Sequence, residues 1–254
     1  MGEDIKRTLA DGVLELRLTR PDKKNALTNA MYDTLTAALA EASADRAILA
    51  VLISGEGDAF CAGNDISGFL PENRSDSAMV FIRAIAGFGK PIVAAVQGLA
   101  VGVGTTMLLH CDLVYAAPGT RFTVPFAKLG IVPEAASSLL LPQRIGAAKA
   151  AAMLLLGEPI DVETAERAGL VTAIVAADAL LAHARAKALA LTAMPPRALA
   201  ETRRLMRGDR SAIETRLGEE ETAFAAALAG AEAQEAFTAF LEKRAPVFTR
   251  EGAE

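Results

Sequence analysis

The stretch Ile92 to Asp112, IVAAVQGLAVGVGTTMLLHCD, restricts the fold of this chain more than any other. Its apolar opening, Ile92 to Val96, reads as a strand that ends at Gln97-Gly98. A glycine-rich turn with Gly102 and Gly104 follows, and Thr105 to Leu109 contains no breaker and reads as the opening of a buried helix. A strand passed to a helix through glycines brings backbone N–H groups close to a ligand. The helix start adds unpaired donors and the positive end of a dipole. Such a turn suits negative charge, either a bound phosphate or an oxyanion that exists only during a reaction.

A length of 254 residues allows one large domain or a core domain with an appendage. The chain is 52% hydrophobic and 22% charged, which is ordinary for a folded globular protein and argues against disorder. A net charge of −5 argues against nucleic acid as the main partner, while leaving room for one anionic ligand in a local basic patch. Cys61 and Cys111 have no metal-binding spacing and are expected to be plain buried thiols in a reducing compartment. Nothing resembles a secretory leader or a membrane span, and the terminal EGAE lacks a peroxisomal address. The expectation is a cytoplasmic protein without a membrane partner.

Along the chain, strands and helices alternate. Val13 to Leu18 (VLELRL) alternates apolar and charged residues as a half-exposed strand does. After RPDKKNALT, Thr28 can N-cap a helix to about Ala42 with Met31, Leu35 and Leu39 on one face. Ala47 to Ser54 is an apolar run typical of a strand covered on both sides. The polar, Pro71-broken segment Ser67 to Ser77 reads as a mobile loop that shapes the ligand pocket.

Short strands are expected at Leu113–Ala116, Thr120–Phe122 and Leu170–Val175. Helices are expected at Ala135–Leu141, stopping near Pro142, at Gly146–Leu156, and after an Asp161 cap up to Gly169. From Leu180 strand signals vanish, and three helical patterns remain, divided by Pro195-Pro196 and Gly208. This divides the chain into an α/β core, residues 1–179, and a helical region, residues 180–254.

The glycine turn has three readings. Gly102-x-Gly104 resembles part of a dinucleotide fingerprint, but Met107 holds the third glycine position and no acidic residue stands at a strand end ~20 residues on. It could also be a tight turn for close strand–helix packing. A second stretch, FCAGNDI at Phe60 to Ile66, repeats the design of a strand delivering a small-residue turn. Two such turns could each point one N–H at a single carbonyl oxygen.

FCAGNDI, QGLAVGVG, CDLVYA, LGIVPE, GEPI…A…GLV and FLEKR stand in the order and spacing of the crotonase superfamily, the enoyl-CoA hydratase/isomerase family. The chain resembles that family from Val13 to Phe248. The resemblance implies a spiral of ββα units, a C-terminal helical region that packs subunits into a homotrimer or homohexamer, and an acyl-CoA thioester ligand in fatty-acid β-oxidation. It implies oxyanion donors at the backbone N–H groups of Asn64 and Val103, the second beside Gly102 in a GVG version of the family's glycine triplet. The turn Ala62, Gly63, Asp65, Ile66 would cradle the CoA adenine, with Asp65 as a turn-stabilising carboxylate. Lys23 and Lys24 would meet CoA phosphates, and Lys243 would reach CoA on a neighbouring subunit. The bland alternative for each lysine is a solvated surface charge.

Family hydratases hold water between two glutamates, and the corresponding positions here are Thr106 and Phe126. Phenylalanine cannot accept a proton, and a threonine hydroxyl is no base near neutral pH. Glu134, in IVPEAASS, falls where peroxisomal-type Δ3,Δ2-enoyl-CoA isomerases carry their catalytic glutamate. It could otherwise serve only to cap the following helix. With Glu134 as the single acid/base the reaction needs no metal or redox cofactor. His110 is expected to be a hydrogen-bonded core residue, and His183 an exposed one. The competing readings are a hydratase or another crotonase-type lyase, a weakly catalytic acyl-CoA-binding subunit, and the dinucleotide enzyme.

Overall fold

The alternating segment VLELRL is the chain's second strand. In the computed structural model, which describes residues 4–69, 73 and 75–248, β1 (Ile5–Ala10) precedes β2 (Val13–Leu18) and pairs with it antiparallel. The two-residue connection, Asp11 at φ 54° and Gly12 at φ 77°, has the left-handed backbone that a tight hairpin needs. Thr28 caps α1 (Asn29–Ala44) as expected, its hydroxyl accepting the Met31 N–H at 3.3 Å. Then come β3 (Ala50–Gly55), α2 (Ser77–Gly87), β4 (Ile92–Val96), β5 (Leu99–Val101) and α3 (Val103–Thr106). A single 3-10 turn, Met107–His110, extends α3. The middle of the chain adds β6 (Leu113–Ala116), β7 (Arg121–Thr123), α4 (Ser137–Ile145), α5 (Ala147–Leu156), β8 (Ile160–Asp161), α6 (Val162–Arg167) and β9 (Ala173–Ile174). The last elements are α7 (Leu180–Thr192), α8 (Pro196–Arg207), α9 (Ser211–Ala229) and α10 (Ala231–Leu241).

These strands build the α/β spiral of strand–strand–helix units. A six-stranded sheet has the order β1-β2-β3-β4-β6-β9, parallel from β2 onward, and a three-stranded sheet has the order β5-β7-β8. Both faces of the larger sheet are covered. Val51 and Ile53 of β3 face the main core with Leu35 and Leu39 of α1, while Leu52 turns to the other side. That side packs on Leu180, Ala184 and Ala188 of α7. A side chain buried to this degree contributes roughly 1.5–3 kcal/mol, so these alternating contacts fix the register of the sheet. Helix α7 therefore belongs to the packing of the sheet, and the change of composition at residue 180 is a change of element type across a continuous core.

Several local expectations need correction. The strand over Ala47 to Ser54 begins only at Ala50, because Ala47 donates to Asp45 Oδ1 at 2.8 Å in the preceding turn. The strand over Leu170–Val175 shrinks to Ala173–Ile174. The helix expected from Ala135 begins at Ser137, since Ala135 and Ala136 take φ values of 61° and 54°. It also continues through Pro142, which removes a single amide donor from a helix already under way. Among the described residues the C-terminal region holds four helices instead of three, the last pair divided at Gly230. His183 is half-buried, edge-on to Tyr115 with ring centroids 4.7 Å apart. Of the expected mobile loop, residues 70–72 and 74 lie outside the described residues, as does the terminal EGAE. No helix among the described residues is long and apolar enough to cross a membrane.

Candidate active site

Both small-residue turns leave from one short ladder. Cys61 N–H donates to the Leu99 carbonyl at 3.0 Å, and Val101 N–H donates to the Cys61 carbonyl at 2.9 Å. A Cβ on Gly104 would lie 2.6 Å from that same carbonyl oxygen, so only glycine lets the turns approach this closely. Gly102 takes the positive φ (53°, with ψ −122°), which leaves Val103 free to start α3 with ordinary helical geometry. The first residues of a helix have no intrahelical acceptor, and among the described residues neither Val103 N–H nor Asn64 N–H donates to another protein group. Asn64 is held on its side chain by the Tyr32 hydroxyl, which donates to Oδ1. Burial pushes that hydroxyl well above its ordinary pKa, so Tyr32 stays neutral.

Behind Asn64, the turn is braced from the chain's N-terminal side. Ala62 N–H donates to the Lys24 carbonyl at 2.9 Å, and Arg20 Nη1 donates to Asp65 Oδ2 at 2.7 Å. Asp65 also accepts the Ser67 N–H and hydroxyl, and its pKa lies below the usual value. Burial opposes that shift, and the Ser67 and Arg20 hydrogen bonds outweigh it. Buried Asn25, with φ 56°, donates to the carbonyls of Glu56 and Ala59 at 2.9 and 2.8 Å and so pins the RPDKKN turn to the chain leading into FCAGNDI.

Glu134 is only 3% exposed. Its Oε1 accepts the Thr106 hydroxyl, and its Oε2 is buried with no partner in the protein. Burial pushes this carboxyl up to about 8, against the Thr106 hydrogen bond, which favours the charged form, and with help from the negative Glu220. Immediately after it, Ala135 and Ala136 are both left-handed, a conformation costing of order 1–3 kcal/mol per non-glycine residue. The Ala135 carbonyl is tied to His110 Nε2 at 2.9 Å. Burial pushes His110 down to about 4, so the ring is neutral and structural. Buried Cys61 and Cys111 are both pushed up to about 12 and remain thiols.

An apolar cavity of about 390 Å³ has Asn64, Asp65 and Glu134 in its wall, with Tyr32, Met79 and Phe224 among its apolar surfaces. Of the carboxyls on this wall, Asp65 is committed to Arg20 and Glu221 is paired with Arg83, while Asp76 is exposed. Glu134 is the buried one. Phe69 also lines the cavity and stacks on Phe237, the ring centroids 4.9 Å apart.

The residues singled out in the sequence are thus partly assembled. Asn64, Asp65 and Glu134 share the cavity, Thr106 reaches it through Glu134, and Gly63 and Gly102 shape the two turns. Phe126 is buried in the main core at 4% exposure and does not line this cavity. Ala62 and Ile66 are half-buried beside the turn, and Lys23, Lys24 and Lys243 are exposed. Sequence reasoning missed Tyr32, Asn25, Phe224 and Glu220. The Asn25-Ala26 step after a basic pair was a turn signal that could have pointed to Asn25. The others sit on amphipathic helices and carried none.

A spiral of strand–strand–helix units, with two donor-bearing turns on one ladder beside a buried carboxyl, is the crotonase architecture. This chain belongs to the enoyl-CoA hydratase/isomerase family, whose model matches residues 8–251. It is 36% identical over 239 residues to the "probable enoyl-CoA hydratase" of Mycobacterium bovis, covering 92% of this chain and 93% of that one. It is 35% identical over 209 residues to enoyl-CoA delta isomerase 2 of Rattus norvegicus, covering 79% of this chain and 53% of that longer protein. The crystal structure of an enoyl-CoA hydratase/isomerase from Pseudoalteromonas atlantica superposes with a TM-score of 0.93 at 42% identity, covering 97% of this chain and 100% of that one.

Proposed function

We propose that this protein is a Δ3,Δ2-enoyl-CoA isomerase with Glu134 as its single acid/base. The observation that carries this reading is the state of Glu134: a buried carboxyl on the cavity wall, one oxygen held by Thr106 and the other unpartnered. Relatives with hydratase names and relatives with isomerase names are about equally similar, so the choice rests on these residues.

In this mechanism the thioester oxygen of a 3-enoyl-CoA accepts the N–H groups of Asn64 and Val103. Glu134 Oε2 takes a proton from C2, and the electron pair spreads through C2, C3 and C4 as a dienolate whose negative oxygen the two N–H groups hold. The same carboxyl then returns its proton to C4, leaving the double bond between C2 and C3 in conjugation with the thioester. A pKa near 8 makes Glu134 a far stronger base than an exposed glutamate, while Thr106 keeps its charged form within reach. Only a proton moves, so the reaction calls for no electron carrier or metal. Water activation would need a second acid/base at Thr106 or Phe126, and neither side chain can serve.

The CoA moiety would lie against the Ala62–Ile66 turn with its phosphates near Lys23 and Lys24. The carbonyl bond from Ala62 to Lys24 holds those two segments together. Exposed Leu205, Met206, Phe240 and Leu241 on the C-terminal helices support assembly into a trimer or a pair of trimers, in which Lys243 would meet a neighbour's CoA. The deciding experiment offers the purified protein 3-hexenoyl-CoA and crotonyl-CoA in parallel. Conversion of the first to its conjugated isomer with little hydration of the second supports the proposal, whereas fast hydration of crotonyl-CoA refutes it. Binding of both without turnover would favour an acyl-CoA-binding subunit.

A further inference from the structure

Glu220 is a second buried acid, and the proton transfer as drawn does not use it. It stands on α9, in the helical C-terminal region, with 6% exposure. Its Oε1 accepts both the N–H of Ser138 at 2.9 Å and the Ser138 hydroxyl at 2.6 Å, and its Oε2 is buried with no partner in the protein. A space of about 10 Å³, room for one water at most, is lined by Glu134, Ala135, Leu217 and Glu220.

Ser138 is the second residue of α4, the helix that follows Glu134. That helix begins on Ala136, which has no side chain able to cap it and takes a left-handed φ of 54°. Helix starts leave N–H groups without acceptors, and a nearby carboxylate satisfies both the donor and the dipole. Glu220 supplies this from another helix. The turn carrying Glu134 is consequently fastened at two points, His110 to the Ala135 carbonyl and Glu220 to Ser138.

We propose that Glu220 is a positioning residue for Glu134: from α9 it fastens the left-handed turn that aims Glu134 into the cavity, and it sets a negative charge beside the base. This rests on the reading of Glu134 as the base. The other groups facing Glu134 contribute little net charge. Thr106 and Asn64 are uncharged, and Tyr32, Cys61 and His110 are held neutral by burial. Glu221 is paired with Arg83 across from α2. Arg216 on α9 donates to the Ser138 hydroxyl at 3.0 Å and offsets part of the Glu220 charge. The helical C-terminal region thereby acts on the chemistry of its own subunit.

The test compares Glu220→Gln, Glu220→Ala and Ser138→Ala in the full chain, using 3-hexenoyl-CoA and complete pH profiles. Glutamine keeps an acceptor for Ser138 but loses the charge. It should hold the plateau kcat near the wild-type value while moving the acid limb of kcat/KM down by about half a pH unit or more. Glu220→Ala releases the turn and should lower the plateau kcat roughly 10-fold or more with KM little changed, whereas Ser138→Ala keeps the backbone N–H bond to Glu220 and should lower it less. Should Glu220→Ala fail to fold, the acid limb of Glu220→Gln decides alone, and an unmoved limb overturns the proposal. An acid limb unmoved in Glu220→Gln together with wild-type kcat in Glu220→Ala would overturn the proposal. Full activity in Glu134→Gln would instead refute the reading of the base, which is a separate result.

Discussion

The Thr106 hydroxyl donates its hydrogen bond to Oε1 of Glu134, joining the helix after the glycine turn to the carboxyl in the cavity wall. Thr106 thus replaces an acid/base with a hydrogen-bond donor that favours the ionised form of another residue. Removing the donor should make Glu134 harder to ionise. A hydrogen bond to a charged group is worth roughly 1.5–3 kcal/mol, so Thr106→Val should raise the acid limb of kcat/KM by about one pH unit. An acid limb at the wild-type position would show that this bond does not tune the base.

The raised pKa of Glu134 also makes a statement about stability. Its folded value of about 8 lies above its ordinary 4.5, so between these values the folded chain holds a proton that the unfolded chain releases. Its contribution is fully favourable below the lower value and is lost as pH rises through the upper one. Glutamine at this position carries no such dependence. Glu134→Gln should therefore melt within about 2 °C of wild type at pH 5 and roughly 5–10 °C above it at pH 9. Parallel melting curves at both pH values would contradict the burial argument.

Gly104 tests the paired turns. An added Cβ would sit 2.6 Å from the Cys61 carbonyl oxygen, which belongs to backbone and cannot swing aside. Gly104→Ala should push the Asn64 and Val103 turns apart and weaken one donor. Loss of an oxyanion donor typically costs ~10²–10³ in rate, so kcat should fall by about that factor while circular dichroism stays native. Unchanged kcat would mean that the close approach serves packing alone.

Assembly is testable through the exposed apolar side chains of α8. Leu205 and Met206 are 64% and 82% exposed in a single chain. If they lie in subunit contacts, Met206→Glu should reduce the mass measured by light scattering from trimer or hexamer to monomer. A mass unchanged in a Leu205→Glu, Met206→Glu double variant would place the contact elsewhere.

How far the sequence reached depended on whether a feature was local. The strand Ile92–Val96 and the caps Thr28 and Asp161 were legible because each follows from a few adjacent residues. The motifs around Asn64, Val103 and Glu134 were legible through the family resemblance. The left-handed Ala135-Ala136 pair was not, since alanine has no preference for that region, and the surrounding contacts impose it. Glu220 was hidden in the acidic run Glu219-Glu220-Glu221, where only its α9 position separates the buried member from its exposed or paired neighbours. The hairpin strand β1 was missed because five of its six residues avoid burial and show no apolar alternation.

The central claim is that one buried carboxyl moves the proton while two backbone amides hold the oxyanion. Replacing Glu134 by glutamine keeps the size of the side chain and its acceptor for Thr106 but removes the base. Its turnover of 3-hexenoyl-CoA, measured beside its affinity for a non-reactive acyl-CoA, tests that claim directly. The account predicts a loss of at least ~10³ in kcat with affinity within a few-fold of wild type. Wild-type turnover in Glu134→Gln would contradict it.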